Sequence, residues 1–507
     1  MADETVPELH PPRPRGRSTV TAPVAVVLAL ACLAGFAARC ASTRLPLFHD
    51  EAATLLAARR IAETGIPMLP SGVLYLHGAV ISYLLAPLGW LGWLDIANVE
   101  NLRLVNAAIG VAAIPLAFLV GRTASGSQGV GAAAAALVAL DPAGVLWGSY
   151  LRMYALLEVL AAGFALAFLH AIAAPAERPN RAALGWMIAT FWLAMFSQTV
   201  AALLLPAAAA VAVALFGREL LGARRSLTAA LLACAAAVAA YLALTRFGSA
   251  GGAASIAQGG GLPGVRFLGD DQIDLSRLID PNAWSVREVL GGHPFGEVLP
   301  FVFVGLICVV VGRVLAADAP PDGPARGAGA LLALGLLPVL ALVFLVRDSG
   351  ERYLTGSLVP LLALTGWGWW LVRPGWPAFA PLAGWLARAL AAAILAGMVL
   401  ARDGWMLTHL RDWGPLRYGD QRAAVLAIAA ERERGNLAIG NFPVVMAETL
   451  GSAEGVRFLN DTGLWAGPSP DGSPRDYWLG NPMITSAGAL CETAAANPGS
   501  FIIAAKI

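Results

Sequence analysis

The chain has 507 residues, of which 58% are hydrophobic and only 13% carry a charge. A soluble globular protein usually has about 25% charged residues, so this composition excludes a soluble fold of this size. The formal net charge of +1 gives no indication of nucleic-acid binding.

Long apolar runs recur along the chain. A hydrocarbon layer about 30 Å thick is crossed by roughly 20 apolar residues in a helix. The first run follows three arginines (Arg13, Arg15 and Arg17), as in a signal peptide, but it is long for a signal core and many runs follow it, so we expect it to remain as a membrane helix. Eleven membrane helices are predicted, near residues 20–40, 104–121, 129–148, 153–172, 183–197, 199–216, 227–247, 298–315, 328–346, 353–372 and 381–401.

The arginines predict the orientation of these helices. Basic residues favour the cytoplasmic side of a membrane. If the N-terminus is cytoplasmic, every segment predicted to lie inside carries at least one arginine, from Arg122 through Arg373. We therefore expect a multi-pass protein of the cytoplasmic (inner) membrane with its C-terminal region on the outer, periplasmic side.

Residues 73–94 form an apolar stretch that we do not count as a crossing. A crossing here would put Arg122 outside and spoil the later alternation. The stretch also contains Trp90 and Trp93, which suit the membrane interface. We therefore interpret 42–103 as one outer loop whose helices lie at or dip into the interface.

The last hundred residues differ from the rest of the chain. Long apolar runs stop after 401, and a helix near 419–434, a strand near 437–446 and a terminal strand at 501–506 predict a small α/β domain. The predicted fold class is an all-α polytopic membrane protein with this small extramembrane domain. Its parts are a cytoplasmic tail (1–19), a membrane domain (20–401) with outer loops 42–103 and 248–297, and an outer-face domain (402–507).

Two adjacent carboxylates, Asp50 and Glu51, follow the first predicted helix. Carboxylates at the mouth of a membrane helix are costly unless they are hydrated, paired or used. One interpretation is that Asp50 caps a helix running through Arg60, with Glu51 in its first turn. The other is a catalytic role, and the two are compatible.

Two further segments place charge at the outer face. Arg152, Tyr154 and Glu158 lie where the third predicted helix gives way to the fourth, and Arg352 and Tyr353 open a later helix. A structural Arg152–Glu158 pair, or a simple helix-end charge at Arg352, is one interpretation. Phosphate binding is the other, because a planar guanidinium suits a phosphate oxyanion.

By this topology the three sites meet on one side of the membrane. A lipid phosphate would lie with its tail between helices and its head among the arginines, while a carboxylate accepts a proton from an incoming hydroxyl. Neighbouring residues on one helical turn diverge, so Asp50 and Glu51 match poorly the carboxylate pair of retaining enzymes, about 5–5.5 Å apart. The sequence shows no His/Asp cluster that demands a metal. Whether the protein uses a divalent metal stays open at this point.

These residues resemble a known family. The chain is similar to the GT-C glycosyltransferases, in particular the branch of aminoarabinose transferases and protein O-mannosyltransferases. The resemblance covers roughly residues 20–370 and rests on an ordered series of short signals: Asp50-Glu51, Tyr75, Ala86-Pro87-Leu88-Gly89, Leu102-Arg103-Leu104, Arg152 with Tyr154, and Arg352-Tyr353 with Pro360.

The resemblance implies inverting transfer of a sugar from a polyprenyl-phosphate carrier to a lipid, glycan or protein acceptor at the outer membrane face. It maps an acidic catalytic residue onto Asp50, with Glu51 beside it, and a second acidic site onto Glu158. Some relatives use a lysine in the first loop, for which Arg59 or Arg60 is the candidate here. Tyr75 and His77, in the same loop, complete the predicted substrate-binding residues with Arg152, Tyr154, Arg352 and Tyr353.

Two other classes of protein are alternatives to a glycosyltransferase. A transporter or lipid flippase would show inverted repeats and polar residues in mid-membrane, whereas here no internal repeat is clear and the polar residues gather at one face. A membrane scaffold whose tail binds a partner would leave the charged first loop without a role.

Overall fold

The computed structural model describes residues 20–41, 43, 47–247, 323–346, 351–371, 421–429, 436–459, 466–467, 473, 475–476 and 478–503. The predicted tail 1–19, the loop 248–297 and the helices near 298–315 and 381–401 lie outside these residues.

Within the described part the chain is mostly helical. The helices of the first half are α1 (Ala22–Ala41), α2 (His49–Thr64), α3 (Ala79–Leu85), α4 (Val99–Val111), α5 (Ala113–Ser125), α6 (Gln128–Ala139), α7 (Pro142–Ser149), α8 (Tyr154–Ala173) and α9 (Arg181–Ser197). They are followed by α10 (Leu204–Phe216), α11 (Arg225–Phe247), α12 (Gly323–Phe344), α13 (Thr355–Leu371) and α14 (Gln421–Ala429).

Membrane-length helices make up most of this bundle. Six described segments are long and apolar enough to cross a membrane, or seven if α6 and α7 form one span bent by 53°. One of the six runs from Ile96 to Ser125 and joins α4 to α5, and another runs from Thr199 to Leu221 around α10. The multi-pass character predicted from the apolar runs is confirmed for the described residues.

Residues 73–94 contain α3, which a 3₁₀ turn extends from Ala86 to Leu91. The resulting apolar segment, Ala79–Leu91, is shorter than a membrane crossing. Trp90 is 76% exposed and Trp93 57%. This helical segment is thus shorter than a membrane crossing, and its place at the interface stays a prediction.

Close helix crossings hold the centre of the bundle. A Cβ atom added to Gly131 of α6 would lie 2.5 Å from the Phe118 carbonyl oxygen of α5. One added to Gly366 of α13 would lie 3.1 Å from the Ala134 nitrogen of α6. Small residues allow helices to approach to this distance, so packing compensates for the lack of a hydrophobic driving force inside a bilayer. The helix α8 lies in the middle, with most of its residues buried.

Contacts between distant residues define the two ends of the bundle. At one end the Arg224 guanidinium donates to the Ala174 carbonyl (2.6 Å), and a Cβ on Gly327 would meet the Ala124 carbonyl oxygen. At the other end, Glu51 of α2 accepts the Leu151 N–H, next to the start of α8. We call this second end the site end, because it holds the residues of the predicted site.

The C-terminal residues form a small parallel sheet with helices. The elements are β1 (Ala438–Gly440), α15 (Pro443–Leu450), β2 (Val456–Leu459), β3 (Ala466–Gly467), β4 (Arg475–Asp476), β5 (Met483–Ile484), α16 (Ala487–Ala496) and β6 (Phe501–Ile503). The sheet has the order β5-β2-β1-β6 and every pairing in it is parallel. The short strands β3 and β4 pair antiparallel with each other outside this sheet. The strand predicted over 437–446 is therefore shorter than expected, because Pro443 starts a helix there.

This sheet packs against the first loop. The Arg59 guanidinium of α2 lies 2.6 Å from the Glu448 carboxylate of α15. The Ser71 N–H donates to the Trp478 carbonyl at 3.3 Å. The described C-terminal elements and the loop that carries Asp50 are therefore on the same side of the bundle.

Candidate functional site

The first turn of α2 sets the direction of both predicted carboxylates. The helix begins at His49, so Glu51 occupies its third position and accepts the N–H of Phe48 at 2.9 Å. This hydrogen bond, from the N–H of the residue before the helix to the side chain of the third helical residue, is one half of a capping box. The interpretation of Asp50 as the helix cap is wrong, because the helix starts one residue before it; the helix also runs beyond Arg60 to Thr64.

Glu51 is fully buried and engaged. Its carboxylate receives two hydrogen bonds from Arg103 of α4, at 2.8 and 2.6 Å. Its Oε1 also accepts the Leu151 N–H at 2.7 Å. Arg103 in turn donates to the Thr43 carbonyl at 2.6 Å. The pair ties Thr43, which follows α1, to α2, α4 and the segment before α8 at the site end.

Asp50 points elsewhere, towards Arg152. The carboxylate Oδ2 lies 3.1 Å from Arg152 Nη2, and Asp50 is 21% exposed whereas Arg152 is only 3% exposed. Arg152 Nη1 also donates to the Asp50 carbonyl (3.0 Å) and to the Thr54 hydroxyl (3.2 Å), one turn further along α2. Arg152 therefore pairs with Asp50, and the interpretation of an Arg152–Glu158 pair is wrong.

Tyr75 and His77 border the same arginine. The Tyr75 hydroxyl accepts a hydrogen bond from Arg152 Nη1 at 3.0 Å. Burial disfavours the charged form of Arg152, but Asp50 and the two tyrosines Tyr75 and Tyr154 outweigh this and raise its pKa.

Burial, together with the positive charges of Arg152 and Arg352, lowers the pKa of His77 to about 3 although Asp50 opposes this. At neutral pH His77 is therefore an uncharged imidazole.

Aromatic rings connect Arg152 to Arg352. The Arg152 guanidinium lies over the Tyr154 ring at 6.0 Å, and Tyr154 packs edge-on against Tyr353 with centroids 6.5 Å apart. Arg352 lies over the Tyr353 ring at 5.2 Å. Because both guanidinium groups and Asp50 act electrostatically on His77, the structure brings four chain segments to one place at the ends of α8 and α13.

Arg59 and Arg60 lie outside this cluster. Arg59 is nine residues beyond Asp50, or about 13 Å along the helix at 1.5 Å per residue. Its guanidinium binds the Leu94 carbonyl and Glu448. Arg60 binds the Met68 carbonyl and Glu63. Both arginines hold loop and tail segments in place.

Glu158 joins a different buried group. Its Oε2 lies 4.0 Å from Arg39 Nη2 of α1, and both side chains are almost completely buried. Arg39 fits because Gly110 and Gly148 have no Cβ, which would approach its Nε to 2.8 and 3.0 Å. A charge at this depth needs a partner. Glu158 thus faces Arg39, one turn deeper in α8 than Tyr154.

The described residues contain no group of three or more His, Cys, Asp or Glu side chains that could hold a metal ion. The chemistry available in the described part of the site is that of one partly exposed carboxylate, two guanidinium groups, a neutral imidazole and phenol hydroxyls.

Sequence reasoning missed three polar residues of the site. Arg103 appeared in the family resemblance without a role, although the structure makes it the partner of Glu51. Thr54 lies four residues after Asp50, a spacing that puts both on one helix face. Gln198 separates two apolar runs, and its side chain lies 3.3 Å from His77. For Gln198, the signal available in the sequence was a polar residue at the junction of two predicted apolar helices.

The fold and this geometry were compared with known proteins. Neither a protein-family model nor a curated protein matches the sequence. Among solved structures, ArnT from Cupriavidus metallidurans bound to undecaprenyl phosphate superposes with a TM-score of 0.51 at 15% identity, covering 96% of this chain and 90% of that one. An oligosaccharyltransferase from Archaeoglobus fulgidus, in complex with Zn and sulfate, gives a TM-score of 0.54 at 15% identity and 84% coverage of this chain.

A second structure of the archaeal enzyme, AglB with an inhibitory peptide and a dolichol-phosphate, gives a TM-score of 0.50 at 14% identity and covers 85% of this chain. This chain spans 64% and 61% of the length of the two oligosaccharyltransferase structures. The chain has the fold of GT-C glycosyltransferases, and the predicted resemblance is confirmed at the level of the fold.

Proposed function

We propose that the chain is an inverting glycosyltransferase, which moves a sugar from a polyprenyl-phosphate carrier to a lipid, glycan or protein acceptor. The observation that carries the proposal is the convergence of Asp50, His77, Arg152 and Arg352 at the ends of apolar helices. A lipid tail can lie along such helices while its charged head reaches the site. The solved neighbours ArnT and AglB hold undecaprenyl phosphate and dolichol-phosphate, and both are polyprenyl phosphates.

The arginines are assigned to the phosphate. During transfer the bond between the sugar C1 and the phosphate oxygen breaks, and the electron pair leaves with the polyprenyl phosphate. Guanidinium groups held in place before the reaction stabilise this developing charge without reorganisation. Arg152 is held by Asp50, Thr54 and Tyr75, and Arg352 is held against the Tyr353 ring.

Asp50 is assigned to the acceptor. The acceptor oxygen forms the new bond to C1, and its proton passes to the Asp50 carboxylate. Asp50 is partly exposed, whereas both oxygens of Glu51 are already occupied by Arg103 and backbone N–H groups. With Glu51 turned away as a positioning residue, no second carboxylate in the described part of the site faces Asp50 to act as nucleophile, and this favours a single inverting displacement.

The proposed location is the outer face of the cytoplasmic membrane. The end opposite the site exposes Arg178, Arg181, Arg218 and Arg225, which favours the cytoplasm for that end. The proposal includes eleven spans and an outer-face α/β domain, and the acceptor is expected to reach the site from the periplasm.

Transfer can be tested with purified protein in nanodiscs and a panel of radiolabelled undecaprenyl-phosphate hexoses and pentoses. Wild-type protein is expected to release or transfer sugar from at least one donor, and Asp50→Asn to lose at least about 100-fold of this rate, the size of a general-base contribution. Glu63→Gln is the matched control, because Glu63 lies on the same helix and is 57% exposed. Full activity in Asp50→Asn would contradict the assignment.

The same preparation tests the alternative of a transporter or flippase. In proteoliposomes, movement of the intact labelled lipid between leaflets without release of sugar would support that alternative and contradict the transferase.

A further inference from the structure

Gln198 is a completely buried polar residue at a break in the bundle. It separates α9 from the 3₁₀ turn Thr199–Leu203, and its backbone is extended (φ −157°, ψ 130°). Burying an amide side chain is costly unless its polar atoms are hydrogen-bonded. The roles assigned above make no use of this residue.

Its neighbours fix the orientation of the Gln198 amide. The Thr199 N–H donates to Gln198 Oε1 at 2.9 Å, and the Thr199 hydroxyl lies 3.2 Å from the same oxygen. A backbone N–H can only donate, so the atom that faces it must be the amide oxygen. The amide nitrogen is then the atom that lies 3.3 Å from His77 Nε2.

This orientation determines where His77 carries its proton. An amide NH₂ group can only donate, so His77 Nε2 must accept. A neutral imidazole that accepts at Nε2 carries its hydrogen at Nδ1, on the other side of the ring. In the described part of the chain Gln198 is the hydrogen-bond partner of His77, and the Nδ1–H is available to a ligand.

The charges around His77 indicate which ligand. Asp50, Arg152 and Arg352 are the charged groups that act on it. Two of them are the guanidinium groups assigned to the lipid phosphate, and an oxygen bound there would accept a further hydrogen bond. A neutral donor adds to such a site without the repulsion that a third positive charge would bring.

We propose that Gln198 is a positioning residue that holds His77 as the Nδ1–H tautomer, so that His77 donates to an oxygen of the donor phosphate. This inference rests on the proposed function, because it assumes a phosphate between the two arginines. It assigns His77 to the phosphate rather than to the sugar or the acceptor.

The tautomer can be observed directly. Protein labelled with ¹⁵N-histidine is studied by NMR at neutral pH, and the His77 signals are assigned by their loss in His77→Asn. Wild-type His77 is expected to be neutral with a protonated Nδ1. A charged imidazole, or a neutral ring protonated at Nε2, would overturn the proposal whatever the behaviour of any variant.

Binding of undecaprenyl phosphate, measured by native mass spectrometry with undecaprenol as the uncharged control, tests the role of the tautomer. Gln198→Ala is expected to weaken phosphate-dependent binding about three- to tenfold in the wild-type background, the range for one lost hydrogen bond. His77→Asn removes the imidazole, and the affinity of this variant serves as the reference for the double variant.

In the His77→Asn background, Gln198→Ala is expected to change affinity by less than about twofold, because there is no longer a tautomer to set. Equal losses in both backgrounds would show that Gln198 acts only on the packing of α9 and would overturn the proposal. If wild-type protein does not prefer undecaprenyl phosphate to undecaprenol, the proposed donor class fails instead, and the NMR result distinguishes the two failures.

Discussion

Asp50 and Glu51 are adjacent in the chain, yet the structure gives them opposite environments. A helix turns by about 100° per residue, so one carboxylate faces Arg103 in the bundle and the other faces the partly open space beside Arg152. The divergence predicted from their spacing is confirmed. The proposed roles follow from exposure, because a carboxylate that exchanges protons with an acceptor must be reachable and Glu51 is not.

Glu51→Gln is expected to destabilise the protein by roughly 3–5 kcal/mol, since it leaves the buried Arg103 charge without its partner. Asp50→Asn also removes the partner of a buried guanidinium, but we expect a smaller loss, because the Asp50 carboxylate is itself 21% exposed and Arg152 keeps its hydrogen bonds to the Asp50 carbonyl, Thr54 and Tyr75. Unfolding in detergent monitored by tryptophan fluorescence measures both, with Glu63→Gln as the exposed control, for which we expect a change within about 0.5 kcal/mol. A Glu51→Gln variant as stable as Asp50→Asn would remove Glu51 from the structural role. In combination with Arg103→Met the effects should not add.

His77 predicts a specific pH dependence of stability. Its pKa falls from an ordinary value near 6.5 to about 3 in the folded protein, chiefly through burial. Between these two pH values the unfolded state binds a proton that the folded state does not. Stability is therefore fully present above pH 6.5 and falls as the pH is lowered, by at most about 1.4 kcal/mol per pH unit for this group.

His77→Gln removes this component, so its melting temperature should fall less steeply than that of wild type between pH 6.5 and 4. His170→Gln, at an exposed position, is the control and should stay much closer to the wild-type curve. Parallel curves for wild type and His77→Gln would contradict the perturbed pKa.

The pairing of Arg152 shows what sequence could and could not predict at this scale. Its place at the site end followed from its position between two predicted helices. Its partner did not, because Asp50 lies 102 positions away in the chain. Proximity in sequence favoured Glu158, but Arg152 precedes the first turn of α8 and so does not share a helix face with it. Only the packing of α2 against that turn brings the two charges together.

At the scale of elements, apolar runs predicted the helices well and their breaks poorly. The single helix expected over 129–148 is split at Asp141–Pro142, where the Asp141 carboxylate caps α7 by accepting the Gly144 N–H at 2.7 Å. Asp before Pro is a readable start signal for a helix. The break at Ala112 between α4 and α5 also has a readable signal, because Gly110 precedes it and Pro115 follows it, and a proline has no N–H to donate to the carbonyl of residue 111.

Close packing of α5 on α6 depends on glycine. Gly131→Ala would place a Cβ 2.5 Å from the Phe118 carbonyl oxygen, a backbone atom that cannot move without shifting the helix. We expect a loss of about 1–3 kcal/mol from overpacking. Gly185→Ala is the matched control, because it is also helical but has no atom within 4 Å of the added Cβ. It should instead stabilise slightly, since alanine has the higher helix propensity. Equal stability of the two variants, measured by thermal unfolding, would contradict the close crossing.

At the scale of the whole molecule, the C-terminal elements and the loop that carries Asp50 form one continuous surface. Arg59 joins α2 to α15 through Glu448, and a Cβ on Gly480 would come within 3.1 Å of the Ser71 Cα. Of the two arginines of the predicted substrate-binding set on α2, Arg59 makes this contact, whereas Arg60 binds the Met68 carbonyl and Glu63 within the loop. For the proposed reaction, the C-terminal elements beside this loop are therefore the first place to seek acceptor specificity.

The two ends of the bundle should differ in access from outside the cell. Four exposed glutamates provide a matched set: Glu63 and Glu454 lie on the site end, and Glu177 and Glu219 lie in turns at the opposite end, which Arg224 ties together through the Ala174 carbonyl. Each is replaced singly by cysteine in a background whose five native cysteines are changed to alanine, and right-side-out spheroplasts are treated with a membrane-impermeant maleimide.

Positions 63 and 454 are expected to react in intact spheroplasts, and positions 177 and 219 only after permeabilisation, because the exposed arginines at that end favour the cytoplasm. Reaction of 177 and 219 alone would reverse the orientation and place the site in the cytoplasm, where a donor would have to be presented on the inner leaflet. Reaction of 63 without 454 would contradict the docking of the C-terminal elements on α2, since residues joined by the Arg59–Glu448 contact cannot lie on opposite faces of a membrane.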